Sequence, residues 1–158
     1  MAAARKRETF WSEPISKVDL QQAAVVPSGT TIVEAVKEMK LKRIGCVLVV
    51  GDEGKLTGIL SNGDLMHEYV GSTLPGDTPV DAIMTRDPFT GSPELTVKDA
   101  LELFHSQPFR HMPILSGGRI MGILSIRGLI SFISEHLPLE VMNLPPDSSL
   151  IPAKPSGE

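Results

Sequence analysis

The sequence is poor in cysteine and in aromatic residues. Cys46 is the only cysteine among 158 residues, so no intrachain disulfide is possible and a cysteine-based zinc site is excluded. Aromatic residues make up 4% of the chain, whereas hydrophobic residues make up 41%, so a core must be built from Val, Ile, Leu, Met and Ala. Because Cys46 lies in the apolar run 46–50, we interpret it as a small buried hydrophobic residue.

Long hydrophobic runs and a basic surplus are also missing. The longest apolar runs have about five residues, whereas a membrane-spanning helix needs about 20. The net charge of −4 argues against general affinity for nucleic acids or anionic membranes, which both bind clustered Lys and Arg. Residues 1–7 faintly resemble an organellar transit segment but have no apolar core of signal-peptide length. We therefore expect a cytoplasmic protein.

What the sequence does contain is an internal repeat. Gly58-Ile59-Leu60-Ser61 returns as Gly122-Ile123-Leu124-Ser125, 64 positions later. A repeat of this kind divides the chain into two units of roughly 60 residues, which rarely bury enough surface to be stable alone. We therefore expect the two units to pack against each other and a ligand or partner site to lie at the seam between them.

Both units predict the same order of elements, β-α-β-β-α, and hence a mixed α/β fold. Thr31 with Glu34, and Thr96 with Asp99, have the spacing of a capping box at the start of a helix. The apolar positions that follow recur at helical spacing. The predicted strands are 23–26, 46–50, 55–60, 89–92, 111–115 and 119–124, and the predicted second helices are 65–70 and 129–137.

The chain is thus predicted to have four segments. A flexible arm (1–13) and a Pro-rich flexible tail (143–158) enclose a first repeat (14–74) and a second repeat (75–142). Within the repeats, Pro14–Val18 and Pro79–Met84 are matching lead-in turns.

The strongest local motif is the corner at Ser61-Asn62-Gly63-Asp64, where a strand ends and a helix begins. The N-terminus of a helix suits a phosphate, a hydroxyl there can donate to a phosphate oxygen, and a carboxylate one turn later can accept from a ribose diol. The same spacing also fits a capping box without any ligand. In the second unit Ser125 recurs, but Gly128 stands where the first unit has Asp64.

The twofold plan with its strand–Gly-h-h-Ser-x-x-Asp–helix corner resembles a tandem CBS pair, also called a Bateman module. The resemblance covers residues 14–142. The segments Ile83-Met84-Thr85-Arg86-Asp87-Pro88 and Phe109-Arg110-His111-Met112-Pro113-Ile114 are similar to segments of such repeats. The resemblance implies two repeats packed with pseudo-twofold symmetry.

The resemblance further implies an adenosyl ligand in the cleft between the repeats, either AMP, ADP, ATP or S-adenosylmethionine. Carried over by position, Asp64 holds the ribose and Ser61 the phosphate. The backbone and side chains near Val47 and Leu48 flank the adenine. Thr85 matches a position that often lines the base pocket, and we take Asp19 as its counterpart in the first unit.

In the second unit the resemblance assigns Ser125 and Arg127 to a phosphate, whereas Gly128 cannot hold a ribose. His111 has two interpretations, a contact to the ligand or a histidine at a strand end bonded to a backbone carbonyl. The remaining histidines have no spacing that suggests zinc, and we expect no metal site and no required cofactor. These residues are His67, His105 and His136.

No acid–base pair or activated nucleophile is visible, so we expect a non-enzymatic regulatory module acting on an unidentified partner protein. The alternative is a nucleotide-free dimeric adaptor. The second helix of the second unit is apolar on more than one side, which predicts a homodimer through the second helices. Its apolar residues are Leu129, Ile130, Phe132 and Ile133.

Overall fold

The computed structural model describes residues 9–137 and has a mixed α/β fold with two sheets. The first sheet contains β1 (Val25–Pro27), β2 (Cys46–Val50), β3 (Leu56–Ser61) and β4 (Thr85–Arg86), in that order. The second sheet pairs β5 (His111–Ser116) with β6 (Arg119–Ser125). The helices are α1 (Ile32–Lys42), α2 (Asn62–Asp64, continued by a π turn at Leu65–Tyr69), α3 (Val97–Ser106) and α4 (Ile126–His136).

The predicted mixed α/β fold is confirmed, with one reduced element. The strand predicted at 89–92 consists of a single bridge, in which Gly91 pairs in parallel with Ile114 of β5. Thr31 and Glu34 form both halves of the predicted capping box at α1. At α3 only one half forms, in which the Thr96 side chain accepts from the backbone N–H of Asp99.

Strand β2 is buried on both faces, and its alternation separates two environments. Val47 and Val49 face the first core, together with α1 residues such as Met39. Cys46 and Leu48 point the other way, into a cluster that joins the repeats. That cluster consists of Cys46, Leu48 and Ile59 from the first repeat and Ile123 from the second.

The two lead-in segments are exchanged between the repeats. Ile15 precedes the first repeat, yet its N–H donates to the carbonyl of Leu95 at 2.8 Å and its side chain is fully buried in the second core. Val80 precedes the second repeat, yet its N–H donates to the carbonyl of Thr30 at 2.8 Å and its side chain is fully buried in the first core. The segments 14–74 and 75–142 therefore describe the sequence repeat, and as domain boundaries they stay a prediction.

The exchange explains why glycine recurs at the start of the repeated tetrapeptide. A Cβ on Gly58 would lie 2.4 Å from Sδ of Met84, in the lead-in of the second repeat. A Cβ on Gly122 would lie 2.9 Å from Cβ of Leu20 and 3.1 Å from the carbonyl oxygen of Gln21. The lead-in of the second repeat thus crosses β3 closely. The residues that follow the lead-in turn of the first repeat cross β6 in the same way.

The predicted flexible arm is wrong for its described part, residues 9–13. Phe10 is buried, and its ring stacks on that of Phe132 with centroids 6.0 Å apart. An apolar side chain packed in this way removes surface from water and fixes the segment. Residues 1–8 of the arm and the predicted tail lie outside the described residues.

Candidate functional site

The first corner joins three of the predicted site residues through one carboxylate. Oδ2 of Asp64 accepts from the N–H of Ser61 at 2.7 Å and from the hydroxyl of Ser61 at 2.6 Å. Oδ1 of Asp64 accepts from the hydroxyl of Thr85 at 3.0 Å. The backbone N–H of Asp64 in turn donates to Oγ of Ser61 at 3.3 Å. Ser61, Asp64 and Thr85 therefore form one polar cluster.

This geometry forms the capping box that the spacing of Ser61 and Asp64 predicted, and it is also compatible with contacts to a ligand. Ser61 and Asp64 make both hydrogen bonds of a capping box, which stabilises the start of α2. Ser61 and Asp64 are partly exposed and Thr85 is exposed. Two of the three donors to the carboxylate are hydroxyl groups, which can rotate to another acceptor. The ligand roles of these residues stay a prediction.

Strand register corrects the counterpart of Thr85. Thr85 pairs with Ile59 in β3, and the position that pairs with the equivalent Ile123 in β6 is Gln21. Each lead-in contains a 3₁₀ turn, Ile15–Lys17 in the first and Val80–Ala82 in the second. Three residues separate the turn from the strand pairing in the first lead-in, but two in the second. The sequence-based counterpart, Asp19, is therefore wrong, and an exposed amide occupies the place of the Thr85 hydroxyl.

The second corner keeps the hydroxyl but has no carboxylate at the position of Asp64. Oγ of Ser125 accepts from the N–H of Gly128 at 3.0 Å, which is half of a capping box. A Cβ on Gly128 would lie 3.2 Å from Oγ of Ser125 and 3.9 Å from the carbonyl oxygen of Asp19. Arg127 is exposed on the first turn of α4, which leaves its guanidinium accessible to an anion.

His111 lies at the seam and approaches the first corner. A Cβ on Gly45 would lie 3.1 Å from Nε2 of His111 and 3.6 Å from Nδ2 of Asn62, which follows Ser61. In β5 His111 pairs with Ser125 of β6. Burial lowers the pKa of His111, and the nearby charge of Arg110 lowers it further. A neutral imidazole therefore stands between the two corners near pH 7.

Cys46 occupies the position in β2 that His111 occupies in β5, since it pairs with Ser61 as His111 pairs with Ser125. Burial raises the pKa of the Cys46 thiol to about 12, with a further contribution from the charge of Asp64. The thiol is therefore protonated and buried, as the sequence predicted for a small hydrophobic residue. The structure thus places one titratable and one inert side chain at equivalent positions of the seam.

The two residues assigned to the adenine differ in their placement. The side chain of Val47 is fully buried in the first core, so its backbone is the part that remains for a contact to a ligand between the repeats. Leu48 belongs to the cluster at the seam. Sequence analysis also missed Gln21, Gly45 and Asn62, because strand register and the close approach of His111 are tertiary features.

Two absences hold for the described residues. Across residues 9–137, no group of three or more His, Cys, Asp or Glu side chains has a geometry suited to a metal ion. Over the same range, no helix combines the length and apolar character needed to cross a membrane.

The comparison with protein families assigns both repeats. The sequence profile of the CBS domain matches residues 15–71 and again residues 80–135. An uncharacterized 17.7 kDa protein of Acidianus ambivalens is 34% identical over 116 residues, which cover 73% of this chain and 70% of that protein. The CBS domain-containing protein CBSCBSPB1 of Arabidopsis thaliana is 31% identical over 113 residues, covering 71% of this chain. The chain spans 21% of that relative's length.

Solved structures share the fold. An uncharacterized conserved protein from Pyrococcus horikoshii superposes with a TM-score of 0.72 at 25% identity, covering 77% of this chain and 92% of that one. The CBS domain protein PAE2072 from Pyrobaculum aerophilum, complexed with AMP, superposes with a TM-score of 0.71 at 23% identity. This superposition covers 84% of this chain and 100% of PAE2072.

Proposed function

The chain belongs to the CBS-domain family, with two CBS domains in tandem, and on that premise we propose that it is a regulatory module. It binds an adenosine nucleotide at the first corner and modulates a partner protein through the occupied state. The proposal includes no catalytic step.

The observation that carries the proposal is the set of donors to Asp64. Two of its three hydrogen bonds come from the hydroxyls of Ser61 and Thr85. A ribose diol also offers two hydroxyls, so a nucleotide can replace these donors one for one while the Ser61 N–H bond stays. The released hydroxyls can then donate to phosphate oxygens. Since an unmade hydrogen bond to a charged group is costly, such an exchange is favourable only when it is complete.

One of the solved structures that share the fold contains a bound nucleotide. PAE2072 is complexed with AMP, so a protein of this fold accommodates an adenine nucleotide. At 23% identity the likeness concerns the fold alone. AMP is therefore the first nucleotide to test, followed by ADP, ATP and S-adenosylmethionine.

Calorimetry with AMP and 2′-deoxy-AMP tests the role of Asp64. We expect Asp64→Ala to weaken AMP binding by about 1.5–3 kcal/mol, the range for hydrogen bonds to a charged group. The wild type should prefer AMP over 2′-deoxy-AMP, and Asp64→Ala should lose that preference because the acceptor of the 2′-hydroxyl is gone. Glu68→Ala, at an exposed carboxylate in the π turn of the same repeat, is the matched control. An equal preference in wild type and Asp64→Ala contradicts a ribose contact at Asp64.

A second candidate function is a nucleotide-free adaptor. It is favoured by the same cluster, because the carboxylate of Asp64 already accepts three hydrogen bonds from the chain. A thermal-shift screen with the four ligands separates the two functions. A ligand that binds only the native state stabilises it by about 2.7 kcal/mol at 100 times its dissociation constant. No shift with any of the four supports the adaptor.

A homodimer through the second helices stays part of the proposal, with a smaller apolar surface than the sequence predicted. Phe132 and Ile133 pack against the second core, so they are not surplus. Met66 and Ile130 occupy equivalent positions of the two repeats and are 63% and 51% exposed. In sedimentation velocity, Met66→Asp and Ile130→Asp should give monomers, since an unpaired charge resists burial. Met121→Asp, at a 55% exposed position of β6, should leave the dimer intact.

A further inference from the structure

The outer face of α1 carries an exposed leucine among cations. Leu41 is 79% exposed, more than any other large hydrophobic residue within 9–137. Lys40, Lys42 and Arg43 surround it in sequence, and all three are exposed. We call Lys37, Lys40, Leu41, Lys42 and Arg43 the α1 patch.

The charge of the α1 patch opposes that of the whole chain. Residues 37–43 contain four cations and a single carboxylate, Glu38, in a chain of net charge −4. Glu38 pairs with Lys42 at 3.1 Å. Among the described residues, the side chains of Lys40 and Arg43 form no ion pair or hydrogen bond. Two cations are thus available to an acidic partner.

The helix dipole accounts for only part of this arrangement. Cations at a helix C-terminus are stabilising, which explains Lys40 and Lys42. It does not explain an exposed leucine, nor Arg43 at the C-cap with φ of 54°. Glycine is the favoured residue at a left-handed cap, because a Cβ is strained there. Arg43 therefore carries a conformational cost at a position where glycine would remove it.

The second repeat shows that the fold does not require the α1 patch. The residues of α3 and its cap that match Leu41, Lys42 and Arg43 are Ser106, Gln107 and Pro108. None of the three is charged or a large aliphatic residue. α1 and α3 both pack into a core, through Ala35 and Ala100, but their C-terminal ends differ. α1 ends at a left-handed cap, whereas α3 ends at an extended cap, Gln107 with φ of −113°.

An open groove of about 660 Å³ runs beside the α1 patch. One wall is the turn Pro27–Thr30, and the other is α1 with Glu34, Lys37 and Glu38. Leu41 lies one helical turn beyond Lys37 and Glu38, so it stands at the end of the groove. The first core covers the opposite face of α1, and the seam cluster lies on the far face of β2. The α1 patch is therefore separate from the proposed nucleotide site. The groove beside it has two carboxylates against one cation, so an acidic segment is favoured on the α1 patch and not in the groove.

We propose that the α1 patch docks an acidic peptide segment of a partner protein. An apolar side chain of that segment packs on Leu41, and its carboxylates meet Lys40 and Arg43. A peptide fits better than an anionic membrane, because a membrane-bound helix needs a broad apolar face and α1 buries its own in the core. This inference does not depend on nucleotide binding, so either can fail alone.

Fluorescence anisotropy with a labelled 15-residue peptide tests the proposal. The probe has six Asp or Glu residues around a central Leu, and its two controls replace the acids by amides or the Leu by Gly. We expect the full chain, without nucleotide, to bind the probe at least about tenfold more tightly than the amide control. Raising the salt concentration should weaken binding, since exposed charges are screened.

Matched variants locate the site. The double variant Lys40→Glu with Arg43→Glu should weaken probe binding at least about tenfold, and Leu41→Ser about threefold or more. Lys98→Glu and Met121→Ser are the controls, with a similarly exposed cation on α3 and a similarly exposed apolar residue on β6. Equal losses in the controls, or equal binding of the acidic and amide peptides, would overturn the proposal.

Arg43→Gly separates a binding role from a structural one. It should raise the melting temperature by about 2–4 °C, because the cap is relieved of strain, while weakening probe binding. A lower melting temperature would make Arg43 a structural residue and overturn its part in the site. Sedimentation with phosphatidylserine vesicles and sedimentation equilibrium of the chain alone complete the test. If the double variant loses vesicle binding but still binds the probe, the α1 patch belongs to a membrane site. If it loses self-association but still binds the probe, the α1 patch belongs to an interface with a second copy.

Discussion

Some residues recur at matching positions of the two repeats, whereas others occur in one repeat only. This difference separates residues that packing and helix capping require from residues that need another explanation. Gly58 and Gly122 both recur because a lead-in segment crosses each of them closely. Ser61 and Ser125 both recur, and each caps the helix that follows. Asp64 has no counterpart, although α4 forms without it over 11 residues. A helix can thus begin at this corner with the hydroxyl alone, and the carboxylate calls for another explanation.

The lead-in segments extend this comparison to the whole molecule. Each segment leaves its own repeat and completes the core of the other, with Ile15 in the second core and Val80 in the first. Neither repeat can therefore be stable independently of the segment that precedes the other. Variants of matched residues in the two repeats test this directly.

The largest effect is expected from Ile15→Ala. Its side chain is fully buried, and such a substitution leaves a cavity that costs about 2–5 kcal/mol of unfolding free energy. Because Ile15 packs in the second core, hydrogen exchange should accelerate in β5 and β6 before β2 and β3. Val80→Ala is the matched variant and should accelerate β2 and β3 first. The reverse order in either variant would refute the exchange of lead-in segments.

A smaller and unequal effect is expected from the two repeated glycines. A methyl group at residue 122 meets Cβ of Leu20 and a backbone oxygen, neither of which can move alone, so Gly122→Ala should cost about 2–3 kcal/mol. At residue 58 the neighbour is the flexible side chain of Met84, so Gly58→Ala should cost about 1 kcal/mol. Urea unfolding measures both. Equal costs would mean that the two crossings are equally rigid.

Gly128→Asp should make the second corner resemble the first. The Cβ position lies beside Oγ of Ser125, so the new carboxylate can complete a capping box and stabilise the chain by about 0.5–1 kcal/mol. If a carboxylate is what the second corner lacks, AMP stoichiometry should rise from one to two per chain. Gly128→Ala controls for the loss of glycine. An unchanged stoichiometry in calorimetry would show that a carboxylate at residue 128 is not sufficient for a second site.

The smallest effect is the pH dependence of the seam. Burial lowers the pKa of His111 in the folded chain below its ordinary value of 6.5, so below pH 6.5 the unfolded chain binds more protons. The free energy of unfolding should therefore fall as the pH drops from 7.5 to 5.5. His111→Asn should flatten this decline, whereas His105→Asn, at an exposed position of α3, should not. Parallel declines in wild type and His111→Asn would exclude this role.

Much of the fold was predictable because local signals agree with the tertiary structure. The spacing of Thr31 and Glu34 predicted a box that forms completely, and the apolar run of β2 predicted a strand buried on both faces. The flexible arm was wrong for residues 9–13, because Phe10 packs on Phe132, 122 positions away in sequence, and the local sequence does not reveal such a contact. The exposed apolar surface of α4 was also overestimated, because Phe132 and Ile133 pack against the second core.

The candidate site was predictable in its residues but not in its geometry. Ser61, Asp64 and Thr85 were each identified, yet only the structure joins them around one carboxylate. Asp19 was wrong as the counterpart of Thr85, because strand register depends on pairing across the repeats. Near Val47 the alternation of β2 directs the side chain into the first core, so the predicted contact to the adenine stays a prediction for the backbone.

The two units, their order of elements and the loss of one carboxylate between them could be predicted, because they depend on residue type and spacing along the chain. Three features became visible only in the folded chain: which segment completes which core, which side chain faces the seam, and that Gln21 matches Thr85. Those features depend on contacts between residues far apart in sequence. The two units have nearly the same residue pattern. That pattern therefore does not indicate whether a lead-in segment packs on its own unit or on the other.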